Sequence, residues 1–217
     1  MGHDYLEQPF PEWIEGSTEE RFTRIYERRF WGPLESSSGP GSSLEQARVI
    51  MEMLPQLLEE FDIRSVLDIP CGDLHWMQHV ELPVEEYIGG DIVGELVTRN
   101  REQFGRSDRV FLHLDMISSE LPKTDLVLCR DGLVHLRYEQ IWEALANFKR
   151  SGARYLLCTT FTGDRENRDI QTGDWRPLNF QNPPFSFPES IRLIDEHCPE
   201  EGFGDKALGL WELAALP

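Results

Sequence analysis

The stretch Val66-Leu67-Asp68-Ile69-Pro70-Cys71-Gly72-Asp73 decides how this sequence folds. It begins as an apolar, β-branched run typical of a buried strand, and it ends in a carboxylate followed by a turn that contains glycine. Glycine allows such a turn to bring its backbone close to a ligand. Because ligands of open parallel sheets bind outside the carboxyl ends of the strands, the stretch predicts a first strand with a ligand site directly after it.

Further apolar runs and helical patterns alternate along the rest of the chain. A capping box, Ser43 with Gln46, opens the helix that precedes the first strand. The predicted strands are residues 64–69, 87–92, 110–114, 125–129 and 155–160, and the clearest helices are residues 94–104 and 138–150. Two last strands, 191–196 and 207–213, have no helix between them and predict an antiparallel pair. The alternation predicts an α/β fold whose sheet is mostly parallel, with helices on both faces.

The first part of the chain, residues 1–43, differs in composition, being rich in charge, aromatic residues, serine, glycine and proline. A capping box that begins at Ser17 predicts a short amphipathic helix from about Ser17 to Phe30. The stretch 36–42 predicts a loop, which is either a flexible linker or a lid over the site. We therefore predict a helical cap in residues 1–43 and the main domain in residues 44–217.

The charge and the cysteine content limit the function. A net charge of -18 repels a phosphate backbone and an anionic membrane, so we expect neither nucleic acid nor membrane as a partner. No apolar run reaches the length of a membrane span, and we see no signal peptide. The four cysteines form no CxxC pair, and no histidine cluster has metal-ligand spacing. The sequence thus predicts a reduced, cytoplasmic setting and no metal site.

Carboxylates follow three of the predicted strands. Asp68 ends the first strand, Asp91 ends the second about twenty residues past the glycine turn, and Asp115 follows the third. At that distance an acidic residue commonly accepts hydrogen bonds from ribose hydroxyls. Acidic strand ends disfavour the phosphates of a dinucleotide and favour a cationic nucleoside such as S-adenosylmethionine.

This pattern resembles the class I S-adenosylmethionine-dependent methyltransferases over roughly Leu44 to Leu213. The resemblance implies a Rossmann-like fold with a seven-stranded sheet and S-adenosylmethionine as cofactor. The turn after Asp68 is similar to the family's first motif, around the methionine part, and Asp91 to the residue that holds the ribose. Asp115 and Met116 are similar to the pair at the adenine. The cofactor-binding residues implied are Asp68, Pro70, Cys71, Gly72, Asp73, Trp76, Asp91, Ile92, Asp115, Met116 and Arg130.

The family's form is not kept everywhere. Pro70 and Leu74 stand where glycine is usual in the first motif. Trp76 is also compatible with simple packing under the turn, and Arg130 with an ion pair to a nearby carboxylate.

The segment after the fourth strand, Arg130 to Leu136, lies where the family's fourth motif borders the transferred methyl group. An acceptor that still carries a proton needs a general base. We predict Asp131 as the first candidate and His135 as the second, with a core histidine as the alternative for His135. On the substrate side we predict Trp31, Arg176 and Asn179.

The expected reaction is methyl transfer to an oxygen or nitrogen atom of a small molecule, which is a sugar, a carboxylate or a secondary metabolite, by a monomer or a homodimer. Three alternatives stay open. Some proteins of this fold cyclise S-adenosylmethionine or transfer its aminocarboxypropyl group, and a non-catalytic relative would bind the cofactor or nothing. A nicotinamide-dependent oxidoreductase would need a G-x-G-x-x-G turn, which the run from Pro70 to Leu74 is not.

Overall fold

The computed structural model describes residues 16–31 and 35–217. A seven-stranded sheet forms its centre, in the order β3-β2-β1-β4-β5-β7-β6. The strands are β1 (Ser65–Asp68), β2 (Glu86–Asp91), β3 (Arg109–His113), β4 (Leu126–Cys129), β5 (Tyr155–Phe161), β6 (Arg192–Asp195) and β7 (Lys206–Glu212). Strands β1 to β5 pair in parallel, and β7 is antiparallel to both β5 and β6. The predicted mostly parallel sheet and its closing antiparallel pair are confirmed.

Helices cover both faces of the sheet, as the sequence predicts. The described helices are α1 (Thr18–Glu27), α2 (Leu44–Glu60), α3 (Gly94–Phe104) and α4 (Tyr138–Arg150). On one face, Leu54 of α2 and Val97 of α3 share a core with Val66 of β1. On the other, Phe148 of α4 packs in a second core with Leu67 of β1. The side chains of β1 alternate between these cores because successive strand residues point to opposite faces.

The helix starts follow their capping residues. The Ser17 hydroxyl accepts a hydrogen bond from the Glu20 amide, and the Glu20 carboxylate accepts one from the Ser17 amide, so the first capping box is confirmed. α1 ends earlier than predicted, at Glu27. At α2 the Ser43 hydroxyl accepts from the Gln46 amide, but the Gln46 side chain donates to Glu200 instead of returning to Ser43. The second box is therefore only half formed.

An irregular segment, residues 162–191, connects β5 to β6 where a helix is usual in an alternating fold. Phe180, Phe185 and Phe187 are buried in the core beneath α4, and the Phe187 ring meets the Trp211 ring of β7 edge to face at 5.4 Å. Aromatic burial thus covers this part of the sheet without a helix.

Part of the predicted cap lies outside the described residues, namely 1–15 and 32–34. α1 packs on the main body through Ile25, which is 1% exposed, and Phe22. The division at residue 43 stays a prediction. Among the described residues, no helix has both the length and the apolar character needed to cross a bilayer. All four cysteines are buried and free.

Candidate active site

A cleft opens where β1, β2, β3 and β4 end, at the edge of the sheet where the sequence predicts a ligand site. It holds about 1070 Å³ of empty space, part of it open to solvent. All of the residues predicted to bind a cofactor line this cleft: Asp68, Pro70, Cys71, Gly72, Asp73, Trp76, Asp91, Ile92, Asp115, Met116 and Arg130.

The turn after β1 has a backbone path suited to close approach. The Ile69–Pro70 peptide is cis, and Gly72 and Leu74 both have φ of 56°. Leu74 therefore adopts the left-handed region where glycine is usual, at a cost of about 1 kcal/mol. The turn is held from its back by Asn100 of α3, whose side-chain amide donates to the Gly72 carbonyl at 2.7 Å.

Residues 36–42, called the serine loop below, lie directly on this turn. The Asp73 carboxylate accepts hydrogen bonds from the Ser36 hydroxyl, at 2.9 Å, and from the Ser37 amide, at 2.7 Å. A Cβ atom on Gly72 would lie only 2.3 Å from the Ser38 hydroxyl oxygen. The loop therefore covers the turn so closely that any other residue at position 72 would require the Ser38 side chain to shift.

Two buried carboxylates follow β1 and β2. The Tyr87 hydroxyl donates to Asp68 at 2.5 Å, and the amides of Gly72 and Val93 donate to Asp91 at 3.0 and 2.9 Å. Burial raises the pKa of Asp68 to about 7, against the lowering effect of the Tyr87 hydrogen bond. Burial likewise raises the pKa of Asp91 to about 6, against the two backbone amides. A cation in the cleft would stabilise the ionised form of both groups.

Asp115 holds the turn that follows β3. Its carboxylate accepts from the Ile117 amide at 2.9 Å and from the Ser118 hydroxyl at 2.6 Å. This Asx-type turn fixes Met116 and Ile117 along the same wall of the cleft. An apolar wall beside a carboxylate suits a flat base with an exocyclic amino group.

Four charged side chains, three of them buried and Asp131 partly exposed, form a group at the wall of the cleft. Arg130 donates to Glu196 at 2.5 Å, and the Lys206 ammonium donates to Asp131 at 2.7 Å. Lys206 also lies 3.8 Å from Glu196. Arg130 therefore lines the cleft and is also the ion-pair partner that the sequence left as an alternative.

The ion pair with Lys206 changes the assignment of the general base. Burial disfavours the ionised form of Asp131, but the charges of Lys206 and Arg130 more than offset it and hold the pKa of Asp131 well below its usual range. A carboxylate this acidic is a poor proton acceptor at neutral pH. The charge of Lys206, which comes from β7, therefore favours His135 over Asp131 as the candidate general base, and the choice between them stays a prediction.

His135 is placed and oriented as a proton acceptor. Its Nδ1 lies 2.8 Å from the Asp174 carbonyl oxygen. Because a carbonyl oxygen only accepts, Nδ1 carries the proton and Nε2 keeps a lone pair. Burial lowers the pKa of His135 to about 4, so the ring is neutral at neutral pH. Trp31 packs on the imidazole, with ring centroids 4.7 Å apart.

A second pocket, called the aromatic pocket below, adjoins the cleft and holds about 610 Å³ of empty space, part of it open to solvent. Trp31, Ser38, Asp131 and His135 line both the cleft and this pocket. The aromatic pocket is lined further by Phe161, Trp175, Phe203 and Lys206. The two predicted catalytic residues therefore lie where the two spaces meet.

Two predicted substrate residues lie elsewhere. Arg176 is fully buried, and its guanidinium donates to the carbonyls of Leu133 and Leu136 at 3.1 and 2.6 Å. Asn179 is 7% exposed and donates to the Gly163 carbonyl at 3.2 Å. Neither lines the cleft or the aromatic pocket, so both predictions are corrected: these side chains fix the irregular segment. Trp31 does line both spaces.

The sequence reasoning missed Asn100, Glu196 and Lys206. The detectable signal for Lys206 was its position at the start of the apolar run of β7, where a lysine needs a buried partner. Asn100 lies on the buried side of α3, where a polar side chain likewise needs a partner, and here that partner is the glycine turn.

Comparisons with solved structures agree with this geometry. No family model and no curated protein sequence matches the chain. An S-adenosylmethionine-dependent methyltransferase from Leishmania major superposes with a TM-score of 0.66 at 12% identity, over 92% of this chain and 89% of that one. The N-methyltransferase NodS from Bradyrhizobium japonicum, in complex with S-adenosylhomocysteine, gives 0.62 at 14% identity, over 88% and 97%. Magnesium protoporphyrin IX methyltransferase from Synechocystis, with bound S-adenosylmethionine, gives 0.55 at 13% identity, over 90% and 97%.

The chain therefore has the Rossmann-like fold of the S-adenosylmethionine-dependent methyltransferases. The cleft lies at the carboxyl ends of its parallel strands, where this fold places its ligands.

Proposed function

We propose that this protein is an S-adenosylmethionine-dependent methyltransferase that methylates an oxygen or nitrogen atom of a small molecule. The observation that carries the proposal is the meeting of two spaces at His135 and Asp131: a cleft with acidic strand ends and a separate aromatic pocket. Similar structures contain S-adenosylmethionine or its product, and two of them are named for small-molecule reactions or N-methylation.

The residues of the cleft fit this cofactor. Asp68 and Asp91 are buried carboxylates with raised pKa values, and a sulfonium cation bound beside them would stabilise their ionised forms. Asp91 would hold the ribose hydroxyls, and Asp115 with Met116 the adenine. The glycine turn, covered by the serine loop, would hold the methionine part. When bound, S-adenosylmethionine supplies a methyl group that is already activated for displacement.

The protein's own contribution is alignment and proton acceptance. In-line transfer depends on holding the acceptor atom against the methyl carbon, a contribution that positioning can make large. His135 Nε2 accepts the acceptor's proton, and its Nδ1 stays fixed by the Asp174 carbonyl. Trp31 packs against His135 and covers one side of the junction. Lys206 keeps Asp131 ionised, so Asp131 accepts a hydrogen bond from the methyl acceptor but does not take up its proton.

The acidic surface supports a small-molecule acceptor over nucleic acid, because a net charge of -18 repels phosphates. The four free cysteines support a cytoplasmic location.

The decisive experiment is calorimetric titration of the purified protein with S-adenosylmethionine and S-adenosylhomocysteine, with NAD as the control ligand. We expect micromolar binding of the first two and none of NAD. Turnover with a panel of acceptors should release S-adenosylhomocysteine; release of methylthioadenosine would replace methyl transfer by another reaction. Absence of binding for both ligands would contradict the proposal.

The pH dependence gives a second test. Below pH about 6 to 7 the carboxyl groups of Asp91 and Asp68 take up protons and lose their attraction for a cation. The affinity for S-adenosylmethionine, which carries the sulfonium charge, should therefore rise from pH 5.5 to pH 8, by up to about tenfold per pH unit for each proton released. S-adenosylhomocysteine, with a neutral sulfur, should show a smaller rise. Equal slopes for the two ligands would show that these carboxylates do not sense the sulfonium.

A further inference from the structure

Three aromatic rings form one continuous wall of the aromatic pocket. The rings of Trp175 and Phe203 meet edge to face, with centroids 5.0 Å apart and an interplanar angle of 86°. Phe161 contacts both rings in the same manner, at 6.2 Å. Trp31, whose ring packs at a tilt on that of His135, lines the pocket as well. Aromatic rings prefer offset or edge-to-face contact with another ring, so this lining presents good partners to a flat molecule.

The cations beside this wall are already paired, and Glu200, which also lines the pocket, accepts a hydrogen bond from the Gln46 side-chain amide. The Lys206 ammonium is bonded to Asp131 at 2.7 Å. Arg165 lies over the rings of Phe161 and Phe203, and its guanidinium donates to Asp205 at 2.7 and 2.5 Å. An anionic acceptor would face the Glu200 carboxylate and would have to break one of these pairs to gain a counter-charge, whereas a cationic acceptor would have to compete with Lys206 for Asp131. Either is costly in a partly buried site.

The polar atoms at the junction suit one hydrogen-bond donor on the acceptor. His135 Nε2 has a lone pair, and the Asp131 carboxylate is an acceptor that does not take up a proton at neutral pH. Both groups therefore accept hydrogen bonds, and a hydroxyl or a ring N–H is what they can receive.

We infer that the aromatic pocket binds an uncharged aromatic or heteroaromatic molecule, and that its hydroxyl or ring N–H, held at His135, is the methylated group. The inference rests on the proposed function and names its acceptor class. In the reaction, the acceptor's oxygen or nitrogen forms a bond to the methyl carbon while the sulfur–methyl bond breaks, its electron pair staying on sulfur. The acceptor's proton moves to His135 Nε2 and then to solvent. The products are the methylated acceptor and S-adenosylhomocysteine.

The test is a calorimetric titration of the protein saturated with S-adenosylhomocysteine, using four probes of similar size. 2-Naphthol is flat, uncharged and carries a hydroxyl; decahydro-2-naphthol is its saturated counterpart; 2-naphthoate is an anion and 2-naphthylmethylammonium a cation. We expect 2-naphthol to bind at least about tenfold more tightly than each of the others, the difference that one or two ring contacts supply. Equal or tighter binding of the saturated or a charged probe would overturn the inference, and so would failure of all four to bind.

Variants link the binding to the wall. Trp175→Leu should weaken 2-naphthol about tenfold, since it removes the ring that contacts both Phe161 and Phe203, and should leave S-adenosylhomocysteine affinity within twofold. Trp142→Leu is the matched control, because Trp142 is also half-buried but packs on Phe185 away from both spaces. Phe203→Leu is a second test if Trp175→Leu does not fold. Unchanged 2-naphthol affinity in the folded variant would refute the aromatic pocket as its binding site. Failure of the wild-type protein to bind S-adenosylhomocysteine would instead refute the proposed function itself.

Discussion

Asp91 is the residue whose replacement tests the candidate cofactor site most directly. Its two carboxylate oxygens accept the amides of Gly72 and Val93 at 3.0 and 2.9 Å, so it joins the end of β2 to the glycine turn. Asp91→Ala leaves both amides without this partner. At about 1 to 1.5 kcal/mol for each hydrogen bond, the stability loss is roughly 2 to 3 kcal/mol. For a chain of this size that lowers the Tm by about 4 to 12 °C.

Binding should suffer separately from stability. If Asp91 also accepts the ribose hydroxyls, Asp91→Ala removes charge-assisted bonds of about 1.5 to 3 kcal/mol and weakens S-adenosylhomocysteine by roughly 10- to 150-fold. Asp91→Asn keeps one acceptor oxygen, so its affinity for S-adenosylhomocysteine should fall between those of the wild type and Asp91→Ala. Calorimetry at a temperature where the variant is fully folded measures the affinity, and thermal unfolding measures the stability.

Asp125 supplies a matched control at the opposite edge of the sheet. Its carboxylate accepts the amides of Arg64 and Ser65 at 2.9 and 3.1 Å, so Asp125→Ala also frees two backbone donors. It should lower the Tm and leave the affinity for S-adenosylhomocysteine unchanged. The reasoning is refuted if Asp125→Ala weakens the ligand as much as Asp91→Ala does, or if Asp91→Ala binds within twofold of the wild type.

The pH dependence of stability adds a signature specific to Asp91. The pKa of Asp91 is raised to about 6 in the folded wild type. Between pH 4 and 6 the folded chain therefore keeps a proton on Asp91 that the unfolded chain has released. The proton stabilises the folded state at low pH, and that stabilisation is lost as the pH rises through 6. The stability difference between wild type and Asp91→Ala should therefore widen as the pH falls from 7 to 4.

Three further substitutions test the remaining parts of the site. His135→Gln should lower kcat about 100-fold with S-adenosylhomocysteine affinity unchanged. With S-adenosylmethionine kept saturating at every pH, the wild-type kcat should fall only near pH 4, where protonation removes the lone pair; a variant with full activity would exclude His135 as the base. Lys206→Met removes the nearer of the two cations beside Asp131 and leaves Arg130 at 3.5 Å. The loss of one charged hydrogen bond should cost about 1.5 to 3 kcal/mol, which thermal unfolding should show as a Tm lower by about 3 to 12 °C; a change under 2 °C would contradict a structural ion pair. Gly72→Ala should weaken cofactor binding about tenfold or more, because the new Cβ atom meets the Ser38 hydroxyl. Gly202→Ala is the control, since Gly202 also has a positive φ but lies in open space, so its substitution should cost backbone strain alone.

Much of the fold was predictable because the chain's periodicities are clear. The helices Gly94–Phe104 and Tyr138–Arg150 have the predicted bounds, and each strand of the parallel set lies within about a residue of its predicted position. The residues of the cleft were predictable for a topological reason. Parallel strands bring their carboxyl ends to one edge, so carboxylates that follow successive strands must lie near one another.

What escaped prediction depends on where long side chains point. Arg176 lies in the irregular segment, residues 162–191, and its guanidinium turns inward to the carbonyls of the turn at residues 133–136. Lys206 starts an antiparallel strand that inserts between β5 and β6, and only that insertion brings its ammonium to Asp131. Neither direction has a signature in local spacing, because both are set by which strand becomes a neighbour in the sheet.

For the proposed methyl transfer, the electrostatics of the two spaces favour alignment, and not strong base catalysis, as the main source of the rate. Burial holds His135 near pKa 4, and the charge of Lys206 keeps Asp131 from taking up a proton, so neither group can remove a proton from a weakly acidic acceptor before the methyl group moves. The proton must therefore leave as the acceptor's acidity rises during bond formation to carbon, when a weak base in hydrogen-bond reach suffices. The pKa values of Asp68 and Asp91 are raised, so a cation in the cleft stabilises the ionised forms of both carboxylates. The two residues therefore favour the charged cofactor over its product, whose sulfur is neutral. Cofactor exchange after turnover follows from that preference, because loss of the methyl group also removes the charge that the buried carboxylates stabilise.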